Sequence, residues 1–410
     1  MIRPVHPFPA RMAPDLAINE LQKTKAGSLV LDPMAGSGTV IREACELGHS
    51  ALGFDCDPLA VLMARVWTTP ASDKTIDHTY NQMLGLLADE RSREPYLPWI
   101  DNDEETSAFI TRWFAKTQRD ELRRLAHVIL SLGQWKGHHH SRAIDILKIA
   151  FSRLIITKDI GASLARDVSH SRPHKVAEIS NFDVLTNFDK SVRHIRKLLV
   201  KDPPRGGAKM RLGDARSLSL VTENSVDMIL TSPPYLNAID YMRGHRLSLV
   251  WLGYTVGELR NIRAYSIGSE RRPTSQSATQ EISSIRESMG DLSQLSGRHS
   301  LMVDRYTQDV RKMMSEIARV LHPRGRAILV VGNSCLKGTF VRNSEVVACA
   351  GSVAGLKVQN VVERDLPDGN RYLPMPSARD QPLGKRMRTE SIITFSKDKS
   401  RNHGAQRITR

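Results

Sequence analysis

The sequence predicts an α/β protein on an open, mostly parallel, Rossmann-like sheet interrupted by a largely helical insertion. Two observations carry this. Short apolar runs that end in an acid or a tight turn are each followed by a helical pattern, and this rhythm stops near residue 70 and resumes near residue 206. At 410 residues the chain also has room for a full enzyme domain and a second, substrate-handling region.

The first unit is a strand at Ser28 to Leu31, an acid followed by a Gly-rich turn, and a helix from Val40 to Leu47. The second is a strand from Ser50 to Phe54 ending in Asp55, then a helix opened by Pro58. Helical patterns follow at Thr106 to Leu132, Ser141 to Ile156 and Asn187 to Val200. The rhythm resumes at Gly213-Asp214-Ala215 with a strand at Val226 to Leu230. Later strands are expected at Arg326 to Val331, Lys357 to Glu363 and Ser391 to Ser396. The expected organisation is a first half-domain at 1–69, an insertion at 70–205, a second half-domain at 206–396 with a mobile loop at about 265–299, and a disordered tail at 397–410.

Composition narrows the function. With 40% hydrophobic and 25% charged residues the chain has an ordinary globular balance, which argues against disorder over most of its length. A formal charge of +15 favours a polyanionic partner such as nucleic acid. The insertion carries part of it: Ser131 to Arg216 holds 17 lysines and arginines against 8 acids, which makes it the candidate target-recognition region. The four cysteines, Cys45, Cys56, Cys335 and Cys349, make no CxxC pair, so a reduced cytoplasmic protein without a metal site is expected. Neither a signal-peptide core nor a membrane-length apolar run is present.

Three segments carry chemistry. Asp32-Pro33-Met34-Ala35-Gly36-Ser37-Gly38-Thr39 puts an acid at a strand end and two glycines in the following turn, so a ligand can approach the backbone closely. A carboxylate there repels a diphosphate and suits a cationic ammonium, which S-adenosylmethionine carries. Asp55, about twenty residues on, stands where an acid hydrogen-bonds ribose hydroxyls in dinucleotide folds; Asp57 competes for that role but equally suits the cap of the next helix. Thr231-Ser232-Pro233-Pro234-Tyr235 follows a buried-looking strand at its carboxyl end, where open α/β sheets bind ligands. Two prolines fix that backbone and remove two donors. Carbonyl acceptors are left for a base amino group, with Ser232 Oγ as a second acceptor and Tyr235 as a stacking platform for an extruded base.

Taken together, Asp-Pro-x-x-Gly-Ser-Gly-Thr, the acid at the second strand end and Ser-Pro-Pro-Tyr resemble the DNA amino-methyltransferases, which make N4-methylcytosine or N6-methyladenine. The resemblance covers roughly residues 1 to 70 and 206 to 396 and implies a class-I methyltransferase fold with a seven-stranded sheet. It implies S-adenosylmethionine as cofactor, with Asp32, Gly36, Gly38 and Thr39 around its methionyl part, Asp55 on ribose and Asp214 facing adenine. The segment His6-Pro7-Phe8-Pro9-Ala10-Arg11 is similar to the family's cofactor-holding segment, with Phe8 as the contact. Met34 stands where many members carry Phe, a change a soft side chain accommodates. Ser232 to Tyr235 would form the acceptor site; Ser at the first position favours cytosine N4, with adenine N6 as the alternative. The implied partners are DNA and a cognate restriction endonuclease.

Other features weigh less. His138-His139-His140 reads as a solvated helix end, since neighbours on one helix cannot all face one ion. Arg172 and Lys175 are candidate phosphate contacts in a polar, basic turn. Tyr241 and Arg243, just past the acceptor loop, are placed to line a DNA groove, although helix packing accounts for Tyr241 as well. Leu321 to Arg326 resembles the turn before the fifth strand of the fold. Two rivals use the same fold: an RNA guanine-N2 or protein glutamine methyltransferase, which usually carries Asp or Asn where Ser232 stands, and an inactive DNA-binding scaffold, against which Asp32, Asp55 and Ser232 argue.

Overall fold

The computed structural model describes residues 2–8, 11–89, 95–133, 138–157, 159, 161–166, 173–236, 240–269, 279–295, 297–365 and 389–397, with the backbone alone at 138–141. Seven strands form one sheet: β1 (Leu29–Asp32), β2 (Ser50–Asp55), β3 (Ala208–Leu212), β4 (Val226–Thr231), β5 (Leu321–Gly332), β6 (Leu356–Asp365) and β7 (Thr389–Lys397). Their spatial order is β6-β7-β5-β4-β1-β2-β3. The strands from β3 across to β5 are parallel, and β7 runs antiparallel between β5 and β6. This is the mostly parallel seven-stranded sheet that the resemblance implies. Strand order reverses between β1 and β4, and the crevice at their carboxyl ends is where such sheets bind ligands.

The central strands are continuous apolar runs because both faces are covered. Val30, Met228, Leu230, Ile328 and Val330 pack on one side, against α1 (Pro14–Gln22) and α2 (Thr39–Glu46). Leu31, Ile229, Leu329 and Val331 point the other way, against α12 (Arg298–Val320) and α13 (Asn343–Val353). A further core joins α3 (Pro58–Thr68) to α4 (Asp73–Ala88), α5 (Glu104–Trp113), α6 (Lys116–Gly133), α7 (His138–Ile155) and α8 (Val184–Lys201). The same core takes in Leu247 of α9 (Met242–Leu249) and Leu259 of α10 (Val256–Tyr265). The helices between β2 and β3 thus pack directly on elements that flank both site loops.

Three expectations need correction. The pattern read as one helix from Thr106 to Leu132 is two, α5 and α6, parted where Phe114 turns extended to bury its ring edge-on to Trp251 at 5.1 Å. Strand β3 precedes Gly213 and was missed because it is an edge strand, with Met210 buried between Lys209 and Arg211. The stretch expected as a mobile loop contains α11 (Gln280–Glu287), capped by Thr279 and anchored by fully buried Ile285. Residues 270–278 of that stretch, the side chains of His138 to His140 and the tail at 398–410 lie outside the described residues.

Candidate active site

Three strand ends meet at the crevice: Asp32 closes β1, Asp55 closes β2 and Thr231 closes β4. Asp32 is 3% exposed, and its Oδ1 accepts from Met34 N at 3.1 Å and from Thr231 Oγ1 at 2.7 Å. Burial pushes this carboxyl up to about 7; the Thr231 and Met34 donors oppose the shift, and the Asp55 charge adds to it. Among the described residues no lysine, arginine or histidine forms an ion pair with Asp32. A buried carboxyl with only neutral donors is the acceptor a ligand's ammonium would complete.

The turn after it is shaped by its glycines. Gly38 has φ 91°, and a Cβ there would lie 2.7 Å from Ala64 Cβ on α3. A Cβ on Gly36 would touch the Phe8 ring at 3.1 Å, so the N-terminal segment lies directly over the loop. Phe8 stacks on Tyr241 with ring centroids 5.0 Å apart and lies 5.6 Å from the His245 ring. Thr39 starts α2 and is buried, and Met34 packs partly into the core.

Asp55 accepts from Gly36 N at 2.8 Å and from Asp57 N at 2.9 Å, which ties the two cofactor-loop candidates together. Burial and the Asp57 charge push its carboxyl up to about 6. Asp55 and Asp57 differ in their partners. Asp57 caps α3 through Leu59 N, and its Oδ2 meets His245 Nδ1 at 2.5 Å in a buried pair, so it is committed to structure. Asp214 is gripped by Arg216, Nη2 to Oδ2 at 2.6 Å and Nε to Oδ1 at 3.0 Å, and Arg216 reaches on to Asp309 at 2.5 Å.

The acceptor loop leaves β4 beside Asp32. Ser232 is exposed, and its Oγ donates to the Val330 carbonyl at 3.0 Å. Its proton is thereby committed and its lone pairs are left for an incoming donor. Tyr306 Oη donates to the Pro234 carbonyl at 3.4 Å, and buried Asn343 accepts from Leu236 N at 3.2 Å. Tyr235 is half-buried, and burial with the Glu390 charge pushes its hydroxyl up to about 12, which keeps the ring neutral.

Sequence reasoning placed Phe8, Asp32, Met34, Gly36, Gly38, Thr39 and Asp55 around one loop, and the structure brings them together there. Thr231, His245, Arg216 and Asn343 were given no role. Thr231 and His245 bond acids 199 and 188 residues away, and Arg216 joins neighbouring Asp214 to Asp309, 93 residues on, so the local sequence does not mark these pairings. Lys175 sits on a two-residue strand and pairs with Glu178 at 2.6 Å, while Arg172 lies outside the described residues.

No family model matches the chain. It is 24% identical over 384 residues to the type II methyltransferase M.MvaI of Kocuria varians, covering 81% of this chain and 77% of that protein. It is 22% identical over 260 residues to the type II methyltransferase M.BsoBI of Geobacillus stearothermophilus, covering 58% of this chain and 49% of that protein. A TehB-like SAM-dependent methyltransferase from Corynebacterium glutamicum aligns over 93% of this chain and 88% of its own, at 9% identity and a TM-score of 0.30.

Proposed function

We propose that this chain, which belongs with the DNA amino-methyltransferases and uses S-adenosylmethionine, methylates the exocyclic amino nitrogen of an extruded base in DNA, cytosine N4 in preference to adenine N6. The observation that carries the proposal is the 2.7 Å hydrogen bond from Thr231 to Asp32, which fixes the acceptor loop against the acid that receives the cofactor's ammonium. When bound, the cofactor supplies an electrophilic methyl on a sulfonium. Asp32 would hold its ammonium and Asp55 its ribose, while Phe8 covers the loop at Gly36. Met34, Gly36, Gly38 and Thr39 shape the methionyl pocket, and Asp214, oriented by Arg216, borders the adenine.

The acceptor loop then has one task, to turn the amino lone pair out of the ring and toward the methyl. Ser232 Oγ accepts a hydrogen bond from one amino N–H, its own proton being held by Val330, and the rigid Pro233 carbonyl accepts from the other; as the N–CH3 bond forms and the S–CH3 bond breaks, one amino proton passes to solvent. Tyr235 stacks on the base. The small hydroxyl at Ser232 in place of a carboxylate supports cytosine. The two relatives named as type II methyltransferases support DNA as substrate; the proposal extends to a cognate restriction endonuclease and to Arg172 and Lys175 as phosphate contacts.

The test is to incubate the protein and S-adenosylmethionine with mixed-sequence duplex DNA, digest to nucleosides and identify the product by mass spectrometry. N4-methyldeoxycytidine is expected. N6-methyldeoxyadenosine would overturn the choice of base, and the absence of any N-methylated nucleoside would overturn the activity.

A further inference from the structure

Just past the acceptor loop, two arginines converge on one carboxylate. Arg243 Nε and Arg263 Nε both bond Asp240 Oδ2, at 3.0 Å and 2.6 Å. Their side chains are 43% and 42% exposed, whereas Asp240 is 24% exposed. Arg246 lies over the Phe109 ring at 5.1 Å, and burial together with the charges of Arg263, Arg243 and Arg112 lowers its pKa against the pull of Asp240. The neighbouring Arg260 is closed off by its own partner, Glu105.

Arg243 and Arg263 thus share one acid, with the Arg246 charge acting on the same group of residues. Like charges held this close are costly unless an anion joins them. Both arginines spend only Nε on Asp240, so their terminal nitrogens, which match a phosphate bidentately, remain outside that contact. The position is as informative as the charge. Arg243 is eight residues beyond Tyr235, on the first turn of α9, and Tyr241 beside it stacks on Phe8 over the cofactor loop. An anion bound here would flank whatever base occupies the acceptor loop.

We propose that Arg243 and Arg263 form a phosphodiester-binding rim that grips the DNA backbone beside the extruded base, with Asp240 as an internal competitor that phosphate displaces. The proposal rests on Ser232 to Tyr235 being the acceptor loop. Free of DNA, Asp240 holds both guanidinium groups in place and reduces their exposed charge. When DNA docks, phosphate oxygens take over the guanidinium donors, and condensed counterions are released. The acid therefore keeps the rim ordered while weakening its hold on DNA, so removing it acts opposite to removing either arginine.

The experiment is fluorescence anisotropy of a labelled 30-base-pair random-sequence DNA duplex with the full chain, across a salt series, beside cofactor titrations of each variant. Arg243→Ala and Arg263→Ala are each expected to weaken binding and to reduce the slope of log affinity against log salt by about 0.9. Asp240→Asn is expected to tighten binding several-fold at low salt, with cofactor affinity unchanged in all three. Unaltered slopes in both arginine variants would overturn the proposal, as would an Asp240→Asn variant that binds DNA as weakly as they do. Tighter binding of an RNA duplex of equal length, with the same residue dependence, would overturn DNA as the occupant. No methyl transfer is read, so failure here leaves the acceptor loop standing, and failure of the acceptor loop appears in the nucleoside analysis instead.

Discussion

Thr231 Oγ1 donates to Asp32 Oδ1 at 2.7 Å across 199 residues of sequence, so the last residue of β4 and the last residue of β1 share one buried hydrogen bond. This bond stabilises the ionised form of an acid that burial otherwise drives toward neutrality. Thr231→Val keeps the shape and removes the donor. Cofactor affinity is expected to fall by about 1 kcal/mol, roughly fivefold, and Thr231→Ser to restore it. Isothermal titration of the three proteins decides this, and equal affinities would detach Thr231 from cofactor binding.

The Asp32 carboxyl, pushed up to about 7, sets a pH dependence with a definite sign. Pairing with an ammonium requires the carboxylate, so cofactor affinity should rise with pH up to about 7 and level off above it. Asp55, pushed up to about 6, steepens the lower part of that rise. For the free protein the linkage runs the other way. A carboxyl whose folded pKa is raised binds a proton in the folded state that the unfolded state has lost, so its contribution to stability declines as pH climbs from about 4 to about 7. Asp32→Asn should therefore abolish the pH dependence assigned to Asp32, lose cofactor binding, and melt higher than the parent above pH 7. Calorimetric melts and titrations at pH 5.5 and 8 test both halves, and a variant that binds as the parent does would remove Asp32 from the cofactor site.

Gly38→Ala should be costly for a reason independent of catalysis. The residue sits at φ 91°, and the added Cβ would stand 2.7 Å from Ala64 Cβ, an atom of a packed helix that cannot swing aside. A loss of about 1 to 3 kcal/mol is expected, read as a lower melting temperature with or without cofactor. Unchanged melting would mean that α2 and α3 can part at no cost.

Much of this was legible because it is local. Asp32, Gly36 and Gly38 lie within seven residues, and the short runs at β1, β2 and β4 are mostly apolar because both sheet faces are covered. What was not legible depends on distant partners. The capping place of Asp57 can be read from spacing, but its buried pair with His245, 188 residues on, cannot. Strand β3 alternates a single buried Met210 with charged neighbours, a pattern shared with many exposed loops. Helix α11 was hidden because one buried isoleucine, Ile285, anchors a stretch otherwise rich in polar residues.

The acceptor loop gives the sharpest prediction, because Ser232 and Tyr235 are asked to hold a base and not the cofactor. Ser232 Oγ has its proton on the Val330 carbonyl, so Ser232→Ala removes an acceptor while Pro233 and Pro234 still shape the backbone. The methyl-transfer rate should fall about tenfold, the equivalent of one hydrogen bond that orients the amino group. Ser232→Cys keeps a weak acceptor and should fall between the two. Tyr235→Ala should lose about 1 to 3 kcal/mol of stacking, seen as weaker binding of a duplex carrying an unpaired target base. Cofactor affinity should barely move in any of them, since Asp32, Asp55 and the Gly36 turn are untouched. Single-turnover methylation at saturating cofactor, run beside cofactor titration, separates rate from binding. Parental rates in both alanine variants would mean that the base is received elsewhere, and the proposed amino-group chemistry would lose its site.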